Sequence, residues 1–190
     1  MKKTGQKELK LYTGLCSDVV YNKPDLTRFN PYVDGSAVRE KYFLGEEPIF
    51  LSVGVISPVK GAHLLIQAFK LIKKCLPDAK LIIVGKHTYG EYSRQLSQEA
   101  DESVIFAGYV PDEELPKYYS ICDVYTTCSL WEAHNVPVLE AQACGKPIVA
   151  FNFNFFQEEL GKNDILVEEY NIEEFANACV KKYKDIKGNL

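Results

Sequence analysis

The chain has 190 residues, and its content of 46% hydrophobic and 25% charged residues predicts a single globular domain with one sizeable core. A net charge of −4 gives no electrostatic reason to expect a nucleic-acid partner. No apolar stretch is long enough to predict a membrane span, and the polar start MKKTGQKELK lacks the apolar region of a secretion signal.

The spacing of the cysteines and histidines argues against a metal centre. The 6 cysteines include no C-x-x-C pair, and the 3 histidines lie far apart in the sequence. We therefore expect reduced, mostly packed thiols in a cytoplasmic protein that holds no metal ion.

The first 45 residues are the least regular part of the sequence. An apolar patch from Leu9 to Cys16 precedes Asp18 to Tyr21, which fits a short strand. The run YNKPDLTRFNP then contains prolines and asparagines that mark turns in an extended connector. We predict that residues 1–45 form an irregular N-terminal segment and connector, and that residues 46–190 form the folded domain.

From Pro48 onward, strand patterns and helix patterns alternate. Apolar runs of strand length are separated by segments with helical spacing or helix-start signals. The predicted strands are residues 49–53, 80–84, 104–107, 124–127, 147–151 and 165–167. The predicted helices are residues 61–76, 91–100, 112–120, 136–144 and 172–183. This order predicts an α/β fold in which a parallel sheet of about six strands is covered by helices on both faces.

Ligands of such a sheet bind at the carboxyl ends of the strands, so the loops after the strands are the candidate sites. After the first strand, Gly54 leaves the strand and Lys60 precedes Gly61 at a helix start. This arrangement suits a phosphate, because lysine supplies a mobile charge and glycine lets backbone amides approach. A surface lysine at a helix start is the simpler alternative. The turn from Gly108 to Pro111, after the third strand, also fits a plain helix start.

The stretch at residues 129–151 carries two glutamates around a predicted helix start. Pro137 fits an early helical position, so the helix is expected to begin near residue 136. Glu132 then lies in the preceding loop and Glu140 on the first turns of the helix. Amides at a helix start suit a diphosphate, and carboxylates suit the hydroxyl groups of the attached sugars. The spacing suggests a nucleotide-sugar site, with two solvated surface charges as the alternative.

The same stretch resembles the E-x7-E motif of the large family of retaining glycosyltransferases with the GT-B fold, the group 1 glycosyl transferases. It reads E-A-H-N-V-P-V-L-E-A-Q-A-C-G-K-P-I-V-A, where the family typically has E-G-F-G-x-x-x-L-E-A-M-A-C-G-K-P-V-V-A. Similarity extends over residues 20–185 and includes the connector, the Lys60-Gly61 turn and the run YVPDEEL. The resemblance implies a Rossmann-like three-layer sandwich that is the C-terminal, donor-binding half of a GT-B fold. The N-terminal acceptor-binding domain is then absent from this chain.

The resemblance also implies a role for each candidate residue. Glu140 is expected to hold the ribose hydroxyls, and Glu132, the catalytic candidate, to contact the donor sugar near the reacting carbon. Lys60 and the amides around residues 134–138 are expected to hold the diphosphate. Tyr109 and Val110 are expected beside the nucleobase. The substrate-binding candidates are Gly54, Lys60, Tyr109, Val110, His134, Asn135, Val136 and Glu140.

The implied reaction is the transfer of a hexose from a nucleoside-diphosphate sugar, such as a UDP- or GDP-hexose, to a glycan, lipid or other acceptor. The family resemblance implies that it proceeds with retention of configuration and without a metal or another cofactor. The isolated half is expected to be inactive, and its location is cytoplasmic or peripheral to a membrane through the missing half.

Three departures from the family pattern leave other functions open. Val55 replaces an arginine that holds the diphosphate, residues 133–135 replace Gly-Phe-Gly, and residues 152–154 replace a Gly-Gly turn. A non-catalytic nucleotide-sugar-binding module, or a scaffold derived from such an enzyme, is the main alternative. A nucleotide-sugar epimerase of the same architecture fits the intact E-x7-E run less well.

Overall fold

A computed structural model describes residues 10–14, 16, 22–88, 90–157 and 160–188. The short strand predicted from Asp18 to Tyr21 and the first nine residues lie outside the described part of the chain. Among the described helices, none combines the length and the apolar composition that are needed to cross a bilayer.

The described part of the chain contains six strands and seven helices with defined bounds, and residues 10–13 are also helical. The strands are β1 Ile49–Val53, β2 Lys80–Val84, β3 Val104–Gly108, β4 Val124–Thr127, β5 Ile148–Phe151 and β6 Ile165–Val167. The helices are α1 Ser36–Lys41, α2 Ala62–Cys75, α3 Gly90–Glu99, α4 Leu115–Ile121, α5 Val136–Ala143, α6 Asn154–Gln157 and α7 Ile172–Gly188. A 3₁₀ turn, Pro58–Lys60, precedes α2. Each of the six strands predicted after Pro48 is confirmed.

The bounds of the helices differ more from the predicted bounds than those of the strands do. Helix α4 begins at Leu115, later than the predicted residue 112, because the ring of Pro116 fits only the first turn of a helix. Helix α7 continues to Gly188, beyond the predicted end at residue 183, and Ile186 in the added turn packs against the core. The short helices α1 and α6 were not predicted, and α1 lies inside the segment that we expected to be irregular.

All paired strands run parallel, in the order β3-β2-β1-β4-β5-β6. The chain moves outward from β1 through β2 to β3 and then returns to β4 on the other side of β1. This return makes β1 and β4 the topological switch point, outside whose carboxyl ends ligands of doubly wound sheets bind. The loops after β1 and β4 are therefore the first place to look for a site.

Two apolar clusters cover the two faces of the sheet. On one face, α2 and α7 contribute Leu65, Phe69 and Phe175. On the other face, α4 and α5 contribute Tyr119 and Val138. This order of layers, helices on a parallel sheet on helices, confirms the predicted three-layer sandwich.

Part of the N-terminal segment belongs to the second cluster. Phe29 and Val38 are both buried in it, and helix α1 packs against α4. Lys41 in α1 and Tyr42 just after it also reach the hydroxyl of Tyr118. The domain boundary at residue 45 stays a prediction, although the segment before it packs closely on the sheet domain.

Candidate functional site

A cavity of about 230 Å³ opens at the switch point, between the loops that follow β1 and β4. Six of the predicted site residues line it together. These residues are Gly54, Lys60, Glu132, His134, Asn135 and Val136. The structure therefore brings the predicted lysine and the predicted catalytic glutamate into one site at the expected edge of the sheet.

Close contacts hold the two loops against each other. The Leu130 amide donates to the Val59 carbonyl over 2.8 Å. Gly61 has a φ of 68°, and a Cβ built on it would lie 2.1 Å from the Cys128 carbonyl oxygen. Only glycine allows the backbones to approach so closely. This approach brings Lys60, the residue before Gly61, next to the loop that carries Glu132.

Glu132 is bonded through both of its carboxylate oxygens. Lys60 Nζ lies 2.6 Å from Oε2. The side-chain amide of Asn135 donates to Oε1 over 3.1 Å. Glu132 is only 8% exposed and Asn135 only 3%. The cavity thus contains a largely buried, paired carboxylate, which is a more organised group than the solvated loop charge of the alternative interpretation.

Asn135 also closes the start of helix α5. Its Oδ1 accepts from the Val138 amide over 3.3 Å, which makes it the N-cap residue of the helix. The Val136 amide donates to the His134 carbonyl over 3.2 Å, and Pro137 has no amide hydrogen. Two of the amides that we expected to hold a diphosphate, those of Val136 and Val138, thus have partners within the chain.

Glu140 does not line this cavity. It lies on α5, where Tyr119 donates a hydrogen bond of 2.7 Å to its Oε2. Burial raises the pKa of the Glu140 carboxyl above its ordinary value, and the negative charge of Asp112 adds to this effect. The Tyr119 hydrogen bond and the Arg28 guanidinium oppose the rise in pKa. Tyr119 is not among the predicted site residues, because its contact with Glu140, 21 positions later, has no local signal in the sequence.

The two residues that we expected beside the nucleobase lie in the turn after β3 and differ in their exposure. Tyr109 is 62% exposed, and the Lys86 ammonium lies 4.6 Å from the centre of its ring. Val110 is buried in the core, so its side chain is not presented to a ligand. A nucleobase beside this turn would meet the Tyr109 ring and the backbone of Val110.

Two of the positions that depart from the family pattern, Val55 and Phe153, carry apolar side chains. Val55 lines the cavity and is 47% exposed. After β5, the ring of Phe153 packs edge-on against Phe151 and Tyr170, with centroid distances of 6.4 and 5.9 Å. The loop after β5 therefore presents an aromatic cluster where the family has a glycine turn.

A larger cavity, of about 730 Å³, lies at the opposite edge of the sheet. Gly145, Lys162 and Lys182 are among its lining residues, beside the amino end of β5. None of the predicted site residues lines it. Among the described residues, no group of three His, Cys, Asp or Glu side chains is arranged to hold a metal ion.

A family model and the similar proteins of known sequence all indicate glycosyltransferases. The family model of the glycosyl transferases group 1 matches residues 36–186. The chain is 31% identical over 186 residues to the putative glycosyltransferase YtcC of Bacillus subtilis, covering 88% of this chain and 46% of that protein. It is 35% identical over 136 residues to a GDP-mannose-dependent phosphatidylinositol monomannoside mannosyltransferase of Mycolicibacterium smegmatis, covering 66% and 36%. The chain thus spans less than half of the length of either relative.

The solved structures agree with the fold. Anabaena HepE in complex with UDP and glucose superposes with a TM-score of 0.85 at 26% identity, over 98% of this chain and 53% of that one. The C-terminal domain of a group 1 protein, LpcC from Francisella tularensis, shares the fold with a TM-score of 0.66 at 20% identity, over 87% of this chain and 98% of that domain. The predicted Rossmann-like fold is thereby confirmed, and the match over residues 36–186 means that the chain belongs to the glycosyl transferases group 1 family.

Proposed function

We propose that this chain is the donor-binding half of a retaining glycosyltransferase, which moves a hexose from a nucleoside-diphosphate sugar to a glycan, lipid or other acceptor. The observation that carries the proposal is the cavity at the switch point, where Lys60 and Glu132 form an ion pair of 2.6 Å. A cation suited to a diphosphate and a carboxylate suited to sugar hydroxyls meet there. Two similar proteins support this class of donor, since HepE holds UDP and glucose and the mycobacterial relative is GDP-mannose-dependent.

In this proposal, the diphosphate replaces Glu132 as the partner of Lys60. The lysine side chain is one-third exposed, so it can turn towards a ligand. Glu132 stays in place because Asn135 still donates to its Oε1. The oxygen that Lys60 releases then accepts a hydrogen bond from a hydroxyl of the donor sugar.

Lys60 carries most of the positive charge offered to the diphosphate. The described residues that line the cavity include no other lysine or arginine, and Val55 occupies the position of the family arginine. The Val136 and Val138 amides at the start of α5 are already bonded within the chain, so we expect the helix dipole to make only a supporting contribution. We therefore expect weak nucleotide binding by the isolated chain.

For the chemical step, we propose that Glu132 stabilises positive charge that develops at the anomeric carbon. Retention is compatible with a carboxylate that acts as a nucleophile, or with a departing diphosphate that assists the acceptor on the same face. The proposal includes a reaction that needs no metal or other cofactor, as the family resemblance implies. It also includes a cytoplasmic location, in keeping with six free cysteines, or a peripheral membrane position through the missing half.

A second candidate is a non-catalytic nucleotide-sugar-binding module. The exposed Val55 in the cavity favours it, because a site without the family arginine provides less stabilisation for a departing diphosphate. Both candidates bind the nucleotide. They differ in whether transfer appears once an N-terminal half is supplied.

The experiment combines isothermal titration of the 190-residue chain with UDP and GDP and an assay for donor hydrolysis and transfer. We expect weak, saturable binding of one nucleotide and no transfer, because acceptor contacts and exclusion of water need an opposing domain. Efficient transfer by residues 1–190 alone would overturn the half-enzyme proposal. Binding of neither nucleotide would overturn the donor-binding function itself.

A further inference from the structure

Glu140 is held by a buried neighbour from a different helix. Tyr119 lies on α4 and is fully buried, and its hydroxyl donates to Glu140 Oε2 over 2.7 Å. Burial raises the pKa of Tyr119 far above its ordinary value, so the phenol keeps its proton and remains a donor. The bond uses one of the two carboxylate oxygens of Glu140 and leaves acceptor capacity for a ligand.

The ring of Tyr119 has little freedom to move. It packs edge-on against the Phe29 ring, with the two ring centroids 5.8 Å apart. The centroid of the Tyr125 ring also lies 5.8 Å from that of Tyr119. A hydroxyl on a ring fixed in this way also fixes the carboxylate to which it is bonded. The Arg28 guanidinium lies over the Phe29 ring and donates to the Asp112 carbonyl, so the N-terminal segment supports the same arrangement.

We propose that Tyr119 is a positioning residue that holds the Glu140 carboxylate for the ribose hydroxyls of the nucleotide. The inference rests on the proposed function, in which Glu140 accepts hydrogen bonds from the ribose. Tyr119 touches neither substrate nor reacting atoms in this account. It acts through the orientation and the ionisation of Glu140.

The neighbouring tyrosine provides a matched control. Tyr118 is equally buried, on the same helix, but its hydroxyl contacts the Tyr42 hydroxyl at 3.1 Å and the Lys41 ammonium at 3.2 Å. Tyr118→Phe and Tyr119→Phe each remove one buried hydroxyl. Only the second removal affects Glu140.

The first readout is the preference of the 190-residue chain for a nucleotide with ribose hydroxyls. Titration compares UDP with 2′,3′-dideoxy-UDP, and GDP with its dideoxy form. We expect the parent to prefer the hydroxylated nucleotide by roughly tenfold, and Tyr119→Phe to reduce this ratio by roughly threefold to tenfold. Tyr118→Phe is expected to leave the ratio within about twofold of the parent, because its lost bond is remote from the ribose.

The second readout is the pH profile of that preference, which a merely structural role would not move. The ionised carboxylate is the stronger acceptor, so the preference falls as the pH drops through the pKa of Glu140. The Tyr119 hydrogen bond lowers this pKa, and its removal therefore shifts the loss of preference to higher pH. The titratable and charged groups that face Glu140 are Tyr119, Asp112, Arg28, Tyr125 and Cys144.

A second variant retains the hydroxyl in case Tyr119→Phe does not fold. Replacement of Tyr119 by 3-fluorotyrosine keeps the shape of the ring and makes the phenol a stronger hydrogen-bond donor. The pKa of Glu140 should then fall further, so the preference for ribose hydroxyls should be lost at a lower pH. In a chain that already carries Glu140→Ala, which has no acceptor for the Tyr119 hydroxyl, Tyr119→Phe is expected to have no further effect on the ratio.

The outcomes separate this inference from the function on which it rests. If the parent chain binds no nucleotide, the proposed function is wrong. The parent chain could instead bind nucleotide with a preference for ribose hydroxyls, while Tyr119→Phe and the fluorotyrosine variant change neither the ratio nor its pH profile. In that case the proposed function stands and the positioning role of Tyr119 is wrong. Parent binding without any preference for the hydroxyls overturns the role of Glu140 and, with it, that of Tyr119.

Discussion

At the scale of single residues, the two glutamates of the E-x7-E run have different environments. Glu132 is paired with Lys60 and bonded to Asn135 inside the cavity. Glu140 lies outside the cavity lining and is bonded to Tyr119 from the neighbouring helix. This difference suggests that one carboxylate serves the reacting sugar and the other serves binding of the nucleotide.

Substitution of each glutamate by glutamine tests this division in an enzyme reconstituted with its N-terminal half. Glu140→Gln should chiefly weaken donor affinity, by about 1 kcal/mol, because a neutral hydrogen bond replaces a charged one. Glu132→Gln should lower turnover more than binding, by roughly tenfold to a thousandfold, because it removes charge that is needed mainly in the transition state. Steady-state kinetics with varied donor separate the two effects. If both variants keep affinity and turnover within about twofold of the parent, the two carboxylates have a structural role only and do not act on the donor.

At the scale of elements, the site depends on how closely the β1–α2 loop approaches the β4–α5 loop. Gly61 stands at this contact, with a positive φ and with the Cys128 carbonyl in the place that a Cβ would occupy. Any side chain here must displace a backbone segment. Because Lys60 is the preceding residue, such a displacement also alters its ion pair with Glu132.

Gly61→Ala should therefore destabilise the domain by more than about 2 kcal/mol, from the left-handed backbone and the steric conflict together. It should also weaken nucleotide binding. Gly90→Ala is the matched control, because Gly90 begins helix α3 and a Cβ there meets open space. The control should stay within about 1 kcal/mol of the parent, on the stabilising side. Urea denaturation measures both variants, and equal stability of the two would show that the loop contact is not needed.

Local signals in the sequence were sufficient for most of the elements. The strands are continuous apolar runs, and Pro137 indicated the start of α5 near residue 136. The carboxyl-edge rule then placed Lys60 and Glu132 on adjacent loops, and the structure brings them together. The helix ends were less predictable, since the length of α7 depends on packing of Ile186 against a core that the local pattern does not contain.

The contacts within the site needed three-dimensional information. Tyr119 and Glu140 are separated by 21 positions, and their hydrogen bond depends on how α4 packs beside α5. Asn135 was predicted as a ligand of the donor through its backbone. That role stays a prediction, and the structure adds that the Asn135 side chain bonds both Glu132 and the Val138 amide, which depends on the loop conformation.

At the scale of the whole molecule, the carboxyl edge of the sheet has an apolar surface. Large apolar side chains are exposed on the loops there, including Val55, Val59, Tyr109 and Trp131. Val55, Val59 and Trp131 lie on the loops that carry Lys60 and Glu132, and Tyr109 follows β3. Such an apolar rim is expected under the proposed function, in which an opposing domain covers the cleft.

The two edges of the sheet also offer competing places for a ligand. The cavity at the carboxyl edge is the smaller one, at about 230 Å³ against about 730 Å³ at the opposite edge. We assign the nucleotide to the smaller cavity, because parallel sheets bind ligands at the carboxyl ends of the strands and because the ion pair lies there.

The most direct test is a titration of the ¹⁵N-labelled 190-residue chain with UDP and with GDP, followed by amide chemical shifts. The account predicts saturable changes at Gly54, Lys60, Tyr109 and residues 132–136, with smaller changes on α5 near Glu140. It predicts none at Gly145, Lys162 or Lys182 of the opposite cavity. Saturable changes that cluster at the opposite cavity and leave Lys60 and Glu132 unmoved would contradict it.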